Sequence, residues 1–143
     1  MKKSLLLGVA LATLALCAPA LSADLLFKPG EDTTKFHWEN FDELKKVDLK
    51  GETLTIFGPW RGEDEALVRN MLEYFIQATG AEVKYSSSEN YEQQIVIDTQ
   101  AGSPPNIAIL PQPGLIQDLA SKGLLVPLGD DTANWVKENY GAG

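Results

Sequence analysis

The chain has 143 residues, of which 44% are apolar, and its formal net charge at neutral pH is −8. This composition is typical of a globular protein and excludes a largely disordered chain. An acidic surface repels nucleic acid and anionic lipid, so we expect no nucleic-acid partner and no stable membrane insertion.

Residues 1–23 have the pattern of a secretory signal peptide. Lys2 and Lys3 precede an apolar run over residues 4–17, which is shorter than the roughly 20 residues a membrane-spanning helix needs. Small residues between Ala18 and Ala23 provide cleavage sites, and a short membrane anchor is the less favoured alternative. Cleavage would remove two of the 12 basic and none of the 20 acidic residues, which leaves a net charge of −10. We therefore expect an exported protein of the bacterial periplasm.

The single cysteine, Cys17, lies inside this segment, so we expect a mature chain without disulfides. The sequence Leu14-Ala15-Leu16-Cys17 resembles the cleavage box of bacterial lipoproteins, in which the cysteine is lipidated. That box has a small residue before the cysteine, whereas Leu16 is large. An ordinary signal-peptide cysteine is therefore the preferred interpretation.

Residues 24–50 are predicted to form an N-terminal extension that packs on the domain after it. Trp38, Phe41 and Leu44 are three residues apart, so a short helix over residues 38–46 would place them on one face. The only histidine, His37, has no second histidine or cysteine nearby. We expect it to be a surface residue, and we expect no bound metal or cofactor.

Strand and helix patterns alternate from residue 51 onward. Residues 54–57 form a β-branched and aromatic run that Gly58-Pro59 ends, which predicts the first strand. Acidic residues at 63–65 suit the positive end of a helix, and Gly80 suits its C-terminal stop. The spacing predicts one apolar face for this helix, made of Val68, Met71, Leu72, Phe75 and Ile76.

A second strand is predicted over residues 81–86 and a second helix up to about Ala101. Asn90 and Gln93 have the spacing of a capping box at the start of that helix. Residues 107–110 form a continuous apolar run after Asn106, which is typical of a central parallel strand covered on both faces.

Two further helices are predicted in the C-terminal part. Pro113 can occupy the first position of one helix, and Gly123 ends it. Its predicted inner stripe consists of Leu115, Ile116, Leu119 and Ala120. The weaker pattern over residues 130–140 predicts a last helix with Thr132 as its cap. Its packing residues would be Trp135, Val136 and Tyr140.

The order β-α-β-α-β-α indicates an α/β fold with a parallel sheet and helices on both faces. Ligands of such sheets bind at the carboxyl ends of the strands. Three loops, residues 58–62, 86–90 and 111–114, meet there and form what we call the rim. The rim would therefore bring together Trp60, Arg61, the three serines at positions 86–88 and Gln112.

The rim lacks the motifs of nucleotide sites and of common catalytic sites. The segment GPWRGED contains neither GxGxxG nor GxxxxGK[ST], and the chain has no GxSxG elbow. Glu63, Asp64 and Glu65 could in principle act as an acid/base pair. Their place at a helix start favours a role in complementing the helix dipole.

A sugar suits the side chains of the rim better. An aromatic face such as Trp60 can stack on a pyranose, while Arg61 and Gln112 can hydrogen-bond its hydroxyl groups. The alternative for Trp60 is packing against the N-terminal extension. For Arg61 the alternative is a solvated charge or a salt bridge to Glu63 or Glu65.

Several segments in order carry a resemblance to a known family: LTIFGPW, LVRNMLEYFIQATGAEVKY, AGSPPNIAILPQPG and LIQDLASKGLLVPLGDD. Together with the signal peptide they resemble the extracellular solute-binding proteins of bacterial ABC sugar importers, and within these the alpha-glucoside-binding proteins. The resemblance implies a non-enzymatic, monomeric protein with two lobes that close on a sugar such as sucrose, maltose or trehalose. It also implies delivery of that sugar to the permease subunits.

The resemblance further implies that the loops after the first and third strands contact the sugar. By position these contacts are Pro59, Trp60, Arg61, Pro111 and Gln112, with Glu63 as a weaker addition.

Family members are longer than this chain, so residues 51–143 are expected to form part of a periplasmic-binding-protein-like N-terminal lobe, with the second lobe absent from this chain. Two alternatives remain open from the residues alone. One is an exported carbohydrate-active enzyme lobe, which needs two suitably placed carboxylates. The other is a fragment that binds no ligand.

Overall fold

A computed structural model describes residues 24–140, so the predicted signal peptide and Cys17 lie outside the described residues. The elements follow the predicted alternation, with one helix in front of it and one behind it. In chain order they are α1 Trp38–Leu44, β1 Thr53–Gly58, α2 Glu63–Thr79, β2 Glu82–Ser87, α3 Tyr91–Gln100, β3 Ile107–Ala108, α4 Pro113–Ser121 and α5 Asp130–Tyr140.

The strands form a parallel sheet whose order, within residues 24–140, is β2-β1-β3. The neighbouring residues Ile56 and Phe57 of β1 are only 5% and 7% exposed. Because successive strand side chains point to opposite faces, β1 is buried on both faces of the sheet. The predicted α/β class and parallel sheet are confirmed.

Helices cover the two faces separately. Phe57 packs edge-on against Tyr91 of α3, with 5.9 Å between ring centroids, and Ile95 of the same helix completes this buried cluster. Tyr85, which pairs in register with Ile56, lies under the guanidinium of Arg69 from α2 at 5.6 Å. The predicted coverage on both faces is therefore confirmed.

The predicted strand over residues 107–110 is shorter than expected, and within residues 24–140 it is not central. Among the described residues β3 is a two-residue edge strand, and Ile107 is 44% exposed. The Asn106 side chain explains where the ladder ends, because its Oδ1 accepts hydrogen bonds from the Thr55 N–H and hydroxyl, both at 2.8 Å. A side chain thus takes the main-chain donor that a longer β3 would have used.

The predicted helix ends at Gly80 and Pro113 are confirmed, whereas the two predicted N-terminal caps are wrong. Gly80 adopts φ 75° at the end of α2 and donates its N–H to the Ile76 carbonyl at 2.8 Å, as predicted. Pro113 opens α4, also as predicted. The capping box is wrong, because Asn90 precedes α3 without a side-chain capping bond. Thr132 lies inside α5 rather than at its cap.

The predicted packing faces are only partly correct. On α2, Met71 is 61% exposed, although the other four predicted residues are half-buried. On α4, Leu119 is buried, whereas Ile116 and Ala120 are exposed. The predicted packing of α5 is wrong, since its three predicted packing residues are exposed: Trp135 at 52%, Val136 at 44% and Tyr140 at 76%.

The N-terminal extension lies against α2. Tyr74 of α2 contacts the rings of Trp38 and Phe41 at centroid distances of 6.0 and 6.1 Å. Asn70 donates to the Asp24 carbonyl and accepts from the Leu26 N–H. None of the helices described between residues 24 and 140 is long and apolar enough to cross a bilayer.

Candidate functional site

Trp60, which follows β1 by two residues, is held through its main chain by Tyr85 of β2. The Trp60 N–H donates to the Tyr85 hydroxyl at 3.1 Å, and that hydroxyl donates to the Trp60 carbonyl at 3.0 Å. Both bonds are part-buried, so water competes with them only weakly. The first loop of the rim therefore has a defined main-chain position at Trp60, and the indole is half-buried.

Gly58 makes this contact possible. A Cβ at Gly58 would lie 2.9 Å from the Tyr85 hydroxyl and 3.4 Å from Cδ1 of Ile109. The first distance is shorter than real Cβ contacts, so any larger residue would displace the tyrosine. The glycine of the GPW segment therefore permits a close approach between β1 and β2, in addition to ending the strand.

Tyr85 is itself positioned from α2. Arg69 donates from Nη2 to the Tyr85 carbonyl and from Nε to Glu65 Oε1, both at 2.8 Å. Burial raises the pKa of the Tyr85 phenol, so the hydroxyl stays protonated at neutral pH and can donate and accept at once. A chain of contacts thus runs from α2 through β2 to the first loop of the rim.

Arg61 joins the first and second loops of the rim. Its Nη1 lies 2.9 Å from Glu89 Oε1. The predicted alternative partners were wrong: Glu65 instead binds Arg69 and Ser87, and no ion pair of the described residues joins Arg61 to Glu63, which is exposed. The Arg61–Glu89 pair is itself largely exposed, so it stabilises the protein by only about 0–1 kcal/mol. Its guanidinium can exchange this partner for a ligand at little cost.

The third loop of the rim presents Pro111 and Gln112, both exposed. Gln112 precedes α4 and its carbonyl accepts the Leu115 N–H at 3.1 Å, while its side chain makes no capping bond. This loop lies beside the first one. The Ile109 N–H donates a hydrogen bond to the Phe57 carbonyl, and the Ile109 side chain lies close to Gly58. Pro59 directly follows β1 and is half-buried. All six predicted site residues therefore follow the carboxyl end of β1 or of β3 in the chain.

A wide apolar cavity of about 470 Å³ lies away from the rim, between the extension and α2. Phe27, Trp38, Met71 and Tyr74 contribute to its wall. His37 also borders it, and its Nδ1 lies 2.8 Å from Glu39 Oε1 on an exposed surface. No group of three His, Cys, Asp or Glu residues within the described part of the chain could hold a metal ion.

Sequence reasoning missed three residues that shape the rim, namely Tyr85, Glu89 and Tyr91, whereas Ser88 is one of the three serines that the sequence predicts there. The available signal was the density of hydroxyl-bearing side chains between Tyr85 and Tyr91. Their partners could not be predicted, because they come from β1 and its loop.

A family model for bacterial extracellular solute-binding proteins matches residues 58–143, which include the whole rim. The chain belongs to this family.

Two curated relatives of the family differ in their named ligands. The chain is 66% identical over 149 aligned residues to the alpha-glucosides-binding periplasmic protein AglE of Rhizobium meliloti (strain 1021), covering 100% of this chain and 32% of that relative. It is 39% identical over 77 residues to the osmoprotective compounds-binding protein GgtB of Synechocystis sp. (strain ATCC 27184 / PCC 6803 / Kazusa), covering 54% of this chain and 18% of the relative. The chain thus spans one third or less of the length of these relatives. A search of solved structures gave no significant match.

Proposed function

We propose that this chain is the N-terminal part of the substrate-binding component of an ABC-type importer that captures alpha-glucosides in the periplasm and delivers them to the permease. The observation that carries the proposal is the clamped Trp60 at the carboxyl end of β1, beside the exchangeable guanidinium of Arg61. An aromatic residue with a fixed main chain, next to a weakly paired hydrogen-bond donor, suits the apolar face and the hydroxyl groups of a glucose unit. The 66% identity to a protein named for alpha-glucosides supports this ligand class.

The proposal is of a binding protein and not of an enzyme. Hydrolysis of a glycosidic bond needs two carboxylates on either side of that bond. Glu63, Asp64 and Glu65 all belong to the first turn of α2, so these acids come from one helix start, and Glu65 is also engaged by Arg69. We expect the natural protein to leave maltose, sucrose and trehalose intact on long incubation. Turnover that disappears in Glu63→Gln without loss of binding would support the enzyme alternative instead.

Domain organisation follows the same proposal. Residues 1–23 would be the cleaved signal peptide, residues 24–50 the extension, and residues 51–143 part of the first of two lobes that close on the sugar. The intact mass of the native protein in a periplasmic extract tests this. We expect a monomer far above the 15.6 kDa of this chain, because the second lobe supplies the other half of the sugar contacts. A mass matching residues 24–143 would require a partner chain in its place.

The role of Trp60 is tested by Trp60→Ala in the natural protein. We expect at least a tenfold loss of affinity for the preferred sugar among maltose, sucrose and trehalose, equal to about 1.4 kcal/mol or more. Isothermal titration calorimetry measures this, with glycine betaine as a non-sugar osmoprotectant control.

The exposed Trp135→Ala is the matched control, since Trp135 lies on α5 and is 52% exposed. It should leave the affinity unchanged. Equal affinities of Trp60→Ala and the unmodified protein would exclude stacking on Trp60.

A further inference from the structure

Two buried hydroxyl groups, one in the second loop of the rim and one on the residue directly after it, have no hydrogen-bond partner among the described residues. They are Ser88 Oγ and Tyr91 Oη. By contrast, the part-buried hydroxyl of Tyr85 makes two hydrogen bonds. Buried polar groups without partners are rare in native proteins, because the lost hydration is not replaced.

Both hydroxyls belong to residues within two positions of Glu89, the partner of Arg61, along the chain. Ser88 directly follows β2, Tyr91 is the first residue of α3, and Glu89 between them holds Arg61 of the first loop. The Tyr91 side chain is only 7% exposed, and its ring packs on Phe57 of β1. The position of the hydroxyl at the end of a ring anchored in the core is therefore well defined.

The chemistry of this position favours a neutral polyol. Burial raises the pKa of the Tyr91 phenol, with further contributions from Glu92 and Tyr85, so Tyr91 offers an uncharged O–H. Ser88 offers a second neutral hydroxyl that can donate and accept. Glu89 and Glu92 flank the position along the chain and would repel an anionic ligand.

We propose that Ser88 and Tyr91 bind hydroxyl groups of the sugar and select which hydroxyls a ligand must carry. This inference rests on the proposed function, since it assigns further contacts of the same site. Both oxygens are buried, and Ser88 belongs to the second loop of the rim, so we expect that loop to shift when the sugar binds. The exposed Arg61–Glu89 ion pair is a contact that ties this loop to the first one, and it is weak enough to open.

The test uses Tyr91→Phe and Ser88→Ala in the natural protein, each of which removes one oxygen atom. Calorimetric titration with maltose, sucrose and trehalose identifies the preferred sugar, and monodeoxy analogues of that sugar are then titrated. We expect each variant to bind the sugar at least tenfold more weakly. For each variant we expect one monodeoxy analogue that the variant and the unmodified protein bind with equal affinity. That analogue lacks the sugar hydroxyl that the removed side-chain oxygen would contact.

Tyr74→Phe is the matched control, because its hydroxyl binds Phe27 of the extension and not the rim. It should leave the sugar affinity unchanged. The melting temperature of ligand-free Tyr91→Phe should be equal to or above that of the unmodified protein, because the lost hydroxyl is unpaired.

Two results would overturn the assignment while leaving the proposed function intact. One is sugar binding by Tyr91→Phe and Ser88→Ala at unchanged affinity. The other is a melting temperature several degrees lower in ligand-free Tyr91→Phe, which would show that the protein itself pairs this hydroxyl. Failure of the unmodified protein to bind any of the three sugars would overturn both proposals.

Discussion

Two tyrosines hold two different loops by the same pair of hydrogen bonds. Tyr85 accepts the N–H and donates to the carbonyl of Trp60, at 3.1 and 3.0 Å. Tyr74 does the same to Phe27, at 2.9 and 2.7 Å. Tyr85 is 5% exposed and its bonds are part-buried, whereas the bonds of Tyr74 are exposed and Phe27 is 47% exposed.

We call each such pair of hydrogen bonds from one tyrosine hydroxyl a clamp. Because the two clamps have the same bonding pattern, the difference in their burial decides how much each contributes to the free energy of unfolding. A hydrogen bond that water can replace contributes little, while breaking one in a sheltered place leaves polar groups unpaired. The Tyr85 clamp therefore preorganises the rim around Trp60, and the Tyr74 clamp fastens the extension with a smaller free energy. Three substitutions can break or sharpen this comparison.

The largest effect is expected for Gly58→Ala. The new Cβ would lie 2.9 Å from the Tyr85 hydroxyl and would displace it, which combines overpacking with loss of the clamp. We expect destabilisation of roughly 2–4 kcal/mol, measured by urea unfolding of the natural protein.

Gly114→Ala is the control, because a Cβ at Gly114, near the start of α4, meets nothing within 4 Å. It should be neutral or stabilise the protein by about 0.5–1 kcal/mol. Equal effects of the two substitutions would contradict the close approach of β1 and β2.

A smaller effect is expected for Tyr85→Phe, which removes only the hydroxyl. The Trp60 N–H and carbonyl would lose their partner in a part-buried place, so we expect destabilisation of about 1–2 kcal/mol. Under the proposed function, affinity for the preferred sugar should fall as well, because the main chain that carries the indole loses both hydrogen bonds. Unchanged unfolding and unchanged affinity would show that the clamp has no role in preorganisation.

The smallest effect is expected for Tyr74→Phe. Its bonds to Phe27 are exposed, so the free energy of unfolding should fall by no more than about 0.5–1 kcal/mol. Limited proteolysis should nevertheless cut the extension near residues 27–36 faster than in the unmodified protein. A loss of stability as large as that of Tyr85→Phe would contradict the comparison.

Local signals in the sequence predicted most of the elements of this fold. The runs before Gly58 and after Gly80 gave two strands, and the bounds of α5 agree with the predicted residues 130–140. Such signals are local, because helix periodicity, a proline at a first turn and a glycine with positive φ act within a few residues. The parallel sheet followed from the alternation of these elements.

The details of the site depended on contacts between distant segments. Arg61 lay at the predicted rim, but its partner Glu89 belongs to the loop after another strand. The point at which the β1–β3 ladder begins depended on Asn106 reaching Thr55, and the unpaired hydroxyls of Ser88 and Tyr91 were visible only in the folded structure.

The sequence by itself determined the elements, their order, the parallel sheet and the residues at the carboxyl ends of its strands, because these follow from short-range propensity and hydrophobic periodicity. Only the tertiary structure decided which apolar faces are buried, which tyrosine holds Trp60 and which hydroxyls lack a partner. The physical reason is that hydrogen bonds and burial are properties of pairs of groups. Most of the pairs that matter here join residues 25 or more positions apart, as Trp60 and Tyr85 do.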